Sequence, residues 1–111
     1  MRRYCKKVGD SGEEFAARIL VDEGYVILER NYRTRTGEID IIAMKNSTVH
    51  FVEVKTRTSD EFGYPADAVT EEKQRTIRRT AEIYMANRRL MWKSYSFDVA
   101  EVTFNLIEDC I

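Results

Sequence analysis

The sequence predicts an α/β fold: a three-layer α/β/α domain around a mixed four-stranded sheet, with its elements in the order αβββαβ. Three observations lead there. Two stretches carry apolar residues at helical spacing, and four others have the alternating or apolar character of strands. The second and third strands are separated only by Asn46-Ser47, the length of a tight antiparallel turn. The third and fourth strands flank a helix, a crossover that sets strands parallel and so makes the sheet mixed. At 111 residues the chain has room for one domain, residues 1–111, since domains usually run to about 100–150 residues.

The first helix is predicted over Ser11–Glu23, with Phe15, Ala16, Ile19 and Leu20 as its apolar stripe and Gly24 as its stop. Ser11 with Glu14, or Asp10 with Glu13, fits a capping box at its start. Tyr25–Asn31 follows as a strand, and Tyr32–Thr36 as a basic link. Glu38–Lys45 and Thr48–Thr56 are the next two strands. Arg57–Ala68 reads as a loop and contains the only proline, Pro65. Thr70 is placed to cap a second helix over Glu71–Arg89, whose stripe is Ile77, Ala81, Tyr84 and Met85. Ser94–Asn105 is the last strand.

Composition is that of a soluble globular protein, 43% hydrophobic and 33% charged. Eighteen basic residues against nineteen acidic ones leave a net charge of −1, which excludes a protein that coats nucleic acid through bulk charge. The distribution is uneven. Met1–Lys7 holds four positive charges and no negative ones, and Glu71–Lys93 holds seven basic residues against three acidic ones. Solvated helix faces account for such runs as well as a binding surface does. Cys5 and Cys110 have neither zinc spacing nor the numbers of a disulfide scaffold, so they read as free thiols of a reducing compartment. The start MRRYCKKVGD lacks an apolar segment, and no stretch approaches a membrane span, so the expected setting is cytoplasmic.

The chemistry lies on the second and third strands. Alternation puts Glu38, Asp40, Ile42 and Met44 on one face, with Ile39, Ile41 and Ala43 on the other. On the third strand Val49, Phe51, Glu53, Lys55 and Arg57 share a face, opposite His50, Val52, Val54 and Thr56. A turn at Asn46-Ser47 sets Lys45 opposite Thr48, Ile42 opposite Phe51, and Asp40 opposite Glu53. Asp40, Glu53 and Lys55 therefore converge at the open end of the hairpin. Opposed like charges are destabilising, and both faces have apolar stretches that need covering. Either a divalent cation with oxygen ligands or Lys55 must neutralise the pair. His50 falls on the far face and reads as packed or solvated and not catalytic, and Asp98, alternating with Phe97 and Val99, reads as structural. Tyr84 reads as core and Tyr64 as loop packing.

Asp40 with Glu53-Val54-Lys55 resembles the motif of the PD-(D/E)xK nuclease superfamily and its restriction-endonuclease-like fold. The likeness extends over nearly the whole chain. Gly12-Glu13, Ala16-Ala17, Gly24-Tyr25, Asn31-Tyr32-Arg33, Gly37-Glu38-Ile39-Asp40, Phe51-Val52-Glu53-Val54-Lys55-Thr56-Arg57, Phe62-Gly63 and Phe97-Asp98-Val99 resemble the YraN-like family of small proteins. The pattern is also similar to archaeal Holliday-junction resolvases. That resemblance implies a site in which Asp40, Glu53 and the Val54 carbonyl hold Mg²⁺ or Mn²⁺, with Glu13, preferred over Glu14, completing the shell. It implies that Lys55 orients the attacking water and offsets developing charge.

Arg33, Arg35 and Arg57 are the first choices for phosphate contacts, with Lys73 a further one along the second helix. The function so implied is hydrolysis of DNA phosphodiester bonds, with branched or damaged DNA as candidate substrates and a homodimer by analogy with junction enzymes. The alternative is a DNA-binding protein of the same fold with little or no turnover. Intact Asp40, Glu53 and Lys55 favour the enzyme, since a binding module has no need of an acidic cluster.

Overall fold

The computed structural model describes residues 2–58 and 69–104, with side chains described for residues 12–57 and 69–103. The elements are α1 (Arg2–Asp22), β1 (Val26–Arg33), β2 (Glu38–Lys45), β3 (Thr48–Thr58), α2 (Glu71–Asn87) and β4 (Ser94–Phe104). This is the expected order. The sheet runs β1-β2-β3-β4, antiparallel across the first two pairs and parallel between β3 and β4. Most of the predicted loop, residues 59–68 with Tyr64 and Pro65, lies outside the described residues.

The hairpin turn is as short as the sequence requires. Asn46 and Ser47 both take positive φ, 52° and 64°, the paired left-handed geometry whose twist matches the flanking strands. Lys45 then faces Thr48, and the register continues through Ile42↔Phe51 to Ile41↔Val52. Ile41, Ile42 and Ala43 are completely buried in succession, so β2 is covered on both faces. On one face Ile42, Val49 and Phe51 meet Ala81, Tyr84 and Met85 of α2. On the other, Ile41, Ala43 and Val52 meet Ala16 and Ala17 of α1. Tyr84 is core, 1% exposed, as its helical spacing implied. These two contact layers make the three-layer arrangement.

Two boundaries differ from expectation in ways that matter. Helix α1 begins at Arg2 and not at Ser11, so Asp10 and Ser11 are interior residues and neither predicted capping box forms. The straight-chain Arg and Lys residues of that stretch lose little freedom in a helix. Gly12, which costs about 1 kcal/mol there relative to alanine, is kept for packing: a Cβ on it would stand 2.0 Å from Thr56 Oγ1 of β3. The helix closes at Gly24, φ 95°, where Tyr25 N–H returns to the Leu20 carbonyl at 2.9 Å. Strand β1 runs on through Tyr32 and Arg33, residues expected in a link, because both pair with β2. Helix α2 begins as predicted, with Thr70 Oγ1 accepting from Lys73 N–H at 3.2 Å.

Candidate metal and phosphate site

The site is built where regular pairing stops. Strand β2 stays paired with β1 as far as Arg33↔Glu38, but its ladder with β3 ends at Ile41↔Val52, one pair short of Asp40 and Glu53. In the gap the Val54 N–H donates to Asp40 Oδ2 at 2.8 Å, so a side chain takes over from the ladder.

Alternation also breaks at this level. Ile41 packs on the α1 side, while Ile39, expected to share its face, joins the α2 cluster. Strand β1 shows the same reversal: Arg30 reaches Glu14 of α1 at 2.8 Å, and Tyr32 meets the Tyr84 ring of α2 edge-on. Between Arg30 and Tyr32 stands Asn31 with φ 52°, a left-handed conformation that asparagine tolerates better than most residues. The strict period of two fails because one residue on β1 is turned over. That reversal was not read from the sequence, although an asparagine between strand residues was its available signal.

Asp40 and Glu53 nevertheless meet. Burial, above all, drives the Asp40 carboxyl up to about 7; the Val54 N–H opposes this, while the facing Glu53 carboxylate and the more distant Glu13 add to it. The Glu13 contribution follows from Gly12, whose close contact with Thr56 seats that turn of α1 against β3. Glu14 points elsewhere, held by Arg30 and by Arg18 at 3.6 Å. The Glu53 side chain is only 11% exposed, and its Oε1 receives two ammonium groups: Lys73 Nζ at 2.5 Å and Lys55 Nζ at 3.7 Å. Burial works against the Lys73 ammonium, but the Glu53 contact and the Asp40 charge hold its pKa above the ordinary lysine value.

Among the described residues no three Asp, Glu, His or Cys side chains already stand in coordinating geometry. Glu53 is engaged by lysines, and Glu13 acts on Asp40 through its charge. Val54 joins the site through its N–H, which donates to Asp40.

The basic residues are less uniform than their sequence pattern. Arg33 is exposed and pairs with Glu38 at 3.3 Å, and Arg35 is exposed in the turn before β2. Arg57 is largely buried and bound to Glu101 at 2.9 Å, so its guanidinium has structural work in β3–β4 pairing. Lys73 reaches inward to Glu53. Beside Glu53 lies a recess of about 230 Å³ floored by Ile39, Phe51 and Phe97 and edged by Gln74 and Arg78. The Arg78 guanidinium lies 5.2 Å from the Phe97 ring centre. On the far face His50 Nδ1 and Asp98 Oδ2 are 2.7 Å apart, Ser96 Oγ donates to Asp98, and Tyr25 packs edge-on against the imidazole. This cluster ties β3 to β4, in keeping with the structural reading of Asp98, and of the two settings open to His50 it is the packed one.

Residues 12–102 match the model of the family described as uncharacterised protein family UPF0102. The chain belongs to this family. It is 48% identical over 101 residues to the UPF0102 protein of Caldicellulosiruptor saccharolyticus, covering 91% of this chain and 86% of that one. It is 52% identical over 99 residues to the UPF0102 protein of Alkaliphilus oremlandii, covering 87% and 85%. A UPF0102 protein of Clostridium acetobutylicum is 47% identical over 105 residues, covering 95% and 86%. UPF0102 membership is the YraN-like relationship expected from the motifs. The matched span takes in both strands of the carboxylate pair, the Gly12-Glu13 turn and α2. Among the described residues no helix is long and apolar enough to cross a membrane.

Proposed function

We propose that this chain is a divalent-metal-dependent nuclease that hydrolyses phosphodiester bonds in DNA, branched or damaged structures being the substrates to test first. One observation carries the reading: Asp40 and Glu53 are brought together where β2 and β3 part, leaving Asp40 a crowded carboxyl raised to about 7. A structural carboxylate is ordinarily placed where its charge is satisfied; this one is half-buried between two others. The all-oxygen donor set suits Mg²⁺ or Mn²⁺, and the Lys73 ammonium on Glu53 is a cation already accepted there. Asp40 and Glu53 would hold the ion, with Glu13 near enough to join directly or through water. When bound, such an ion neutralises the carboxylates and polarises a scissile phosphate.

The chain's own residues supply the rest. Lys55, on the same strand as Glu53 and 3.7 Å from its carboxylate, would donate to an attacking water and offset negative charge growing on the phosphate. Arg33 and Arg35, exposed at the turn before β2, are the outer phosphate contacts. The resemblance adds a homodimer, which sedimentation velocity tests; the cysteine pattern and the absence of an apolar segment add a cytoplasmic setting.

A second reading, a DNA-binding protein without turnover, is favoured by the two lysines that already satisfy Glu53. The deciding experiment incubates linear, flapped and four-way DNA with Mg²⁺ or Mn²⁺ and compares wild type with Asp40→Asn and Glu53→Gln. Cleavage by wild type alone supports the nuclease. Binding without cleavage of any structure with either metal gives the second reading.

A further inference from the structure

Lys73 was read from sequence as one of several phosphate contacts on α2, yet its ammonium is inside the carboxylate site. Its backbone is fixed in the first turn of α2 by the Thr70 cap. The side chain, 40% exposed, has room to swing, whereas Glu53, 11% exposed, does not. At 2.5 Å from Glu53 Oε1, Lys73 makes a far closer contact than Lys55 does at 3.7 Å to the same oxygen. The ammonium also lies within the field of Asp40. A divalent ion held by both carboxylates would sit within a few ångströms of that ammonium on the same Glu53 carboxylate, and like charges that close repel and compete for it.

We propose that Lys73 is the resident counter-ion of this site, displaced when a divalent cation binds and then captured by a phosphate of the nucleic-acid strand. This rests on the metal-site reading above and adds a regulatory consequence. The cation must displace an internal competitor, so it binds weakly alone. A DNA phosphate offers the displaced ammonium a new partner, so DNA tightens cation binding and the cation tightens DNA binding by the same factor. The site then loads its metal chiefly on substrate.

The test is the Mn²⁺ affinity of the full chain, measured by titration calorimetry with and without a short phosphorothioate DNA duplex. Lys73→Met should bind Mn²⁺ alone about tenfold more tightly than wild type, the scale of one lost charge-assisted hydrogen bond. The enhancement that DNA gives wild type should shrink by the same factor. Lys73→Arg should keep the weak wild-type affinity. Arg75→Met, which removes a charge from the same helix, should change little, which separates displacement from a general electrostatic effect.

Equal Mn²⁺ affinity in wild type and Lys73→Met overturns the role of Lys73 and leaves the metal site standing. An equal gain in Arg75→Met also overturns it. If neither wild type nor Lys73→Met binds Mn²⁺, the metal-site reading falls and this inference with it.

Discussion

Replacing Asp40 by asparagine should stabilise the metal-free protein at pH 8 and leave it nearly unchanged at pH 4. The folded-state carboxyl titrates at about 7 against an ordinary value of 3.8. Three units correspond to about 4 kcal/mol, and the partial exposure of the side chain reduces this to about 2 kcal/mol by solvent screening. Below pH 3.8 the group is protonated whether the chain is folded or not. Between 3.8 and 7 the folded state keeps a proton that the unfolded chain has released, so wild-type stability falls as pH rises. Above 7 it is ionised in both states and the loss is complete. The asparagine variant has no such titration, and its amide oxygen still accepts from the Val54 N–H.

Its advantage should therefore grow from pH 4 to 7 and level off at about 2 kcal/mol, or roughly 8 °C in Tm for a domain of this size. The assay is thermal unfolding of both proteins in EDTA across pH 4–9. A constant difference across that range, or a variant less stable than wild type at pH 8, refutes the crowded-carboxylate argument. With Mn²⁺ present the order should reverse, because only the wild type gains stability by binding the ion.

Three other substitutions probe the construction of the site. Gly12→Ala should cost about 1–3 kcal/mol through overpacking against Thr56, and Thr56→Ala should relieve part of it; urea denaturation showing a gain of the helix-propensity size would mean that α1 moves freely on β3. Asn31→Val should lose about 1–2 kcal/mol by forcing a branched residue into the left-handed region, while Asn31→Gly stays within about 0.5 kcal/mol; equal stability of the two by chemical denaturation would show that the reversal is not fixed there. Lys55→Ala should lower the single-turnover rate far more than DNA affinity, and cutting as fast as wild type would make Lys55 only an ion-pair partner of Glu53.

The sheet was legible because its signals are local and redundant. Asn46-Ser47 set the hairpin register, and that register holds through Ile41↔Val52. Thr70 announced α2, and Gly24 the end of α1. What sequence periodicity missed are places where tertiary contacts override it. A period of two cannot foresee that Asn31 turns over and carries Ile39 to the α2 side. The capping patterns at Asp10 and Ser11 concealed nine residues of helix, Arg2–Asp10, because a start signal in the sequence does not prevent the helix from running on ahead of it. For the site, spacing grouped Asp40, Glu53 and Lys55, and the family pattern drew in Glu13. The position of Lys73 could not be read, since a first-turn helix lysine faces solvent in most contexts and here bends back to β3.

The irregularities fall together, and that is an argument about function. The sheet gives up a backbone pair beyond Ile41↔Val52, places Asn31 in a left-handed conformation, and crowds a half-buried carboxyl against Glu53 and Glu13. Each of these costs stability of order 1–3 kcal/mol. Elsewhere the sheet has a register shift at Ile27/Glu29 and Arg89 takes φ 56° after α2, but among the described residues no buried side-chain polar atom lacks a partner, even Thr80, whose hydroxyl donates to the Thr76 carbonyl at 2.8 Å. Their coincidence at the end where β2 and β3 part is what a site for an ion would leave in a sheet without its ion. A cation between Asp40 and Glu53 would offset part of the last cost, since the Glu53 and Glu13 charges that add to the effect of burial on the Asp40 carboxyl also attract positive charge. The metal-free protein should accordingly be the least stable and least specific form of this site.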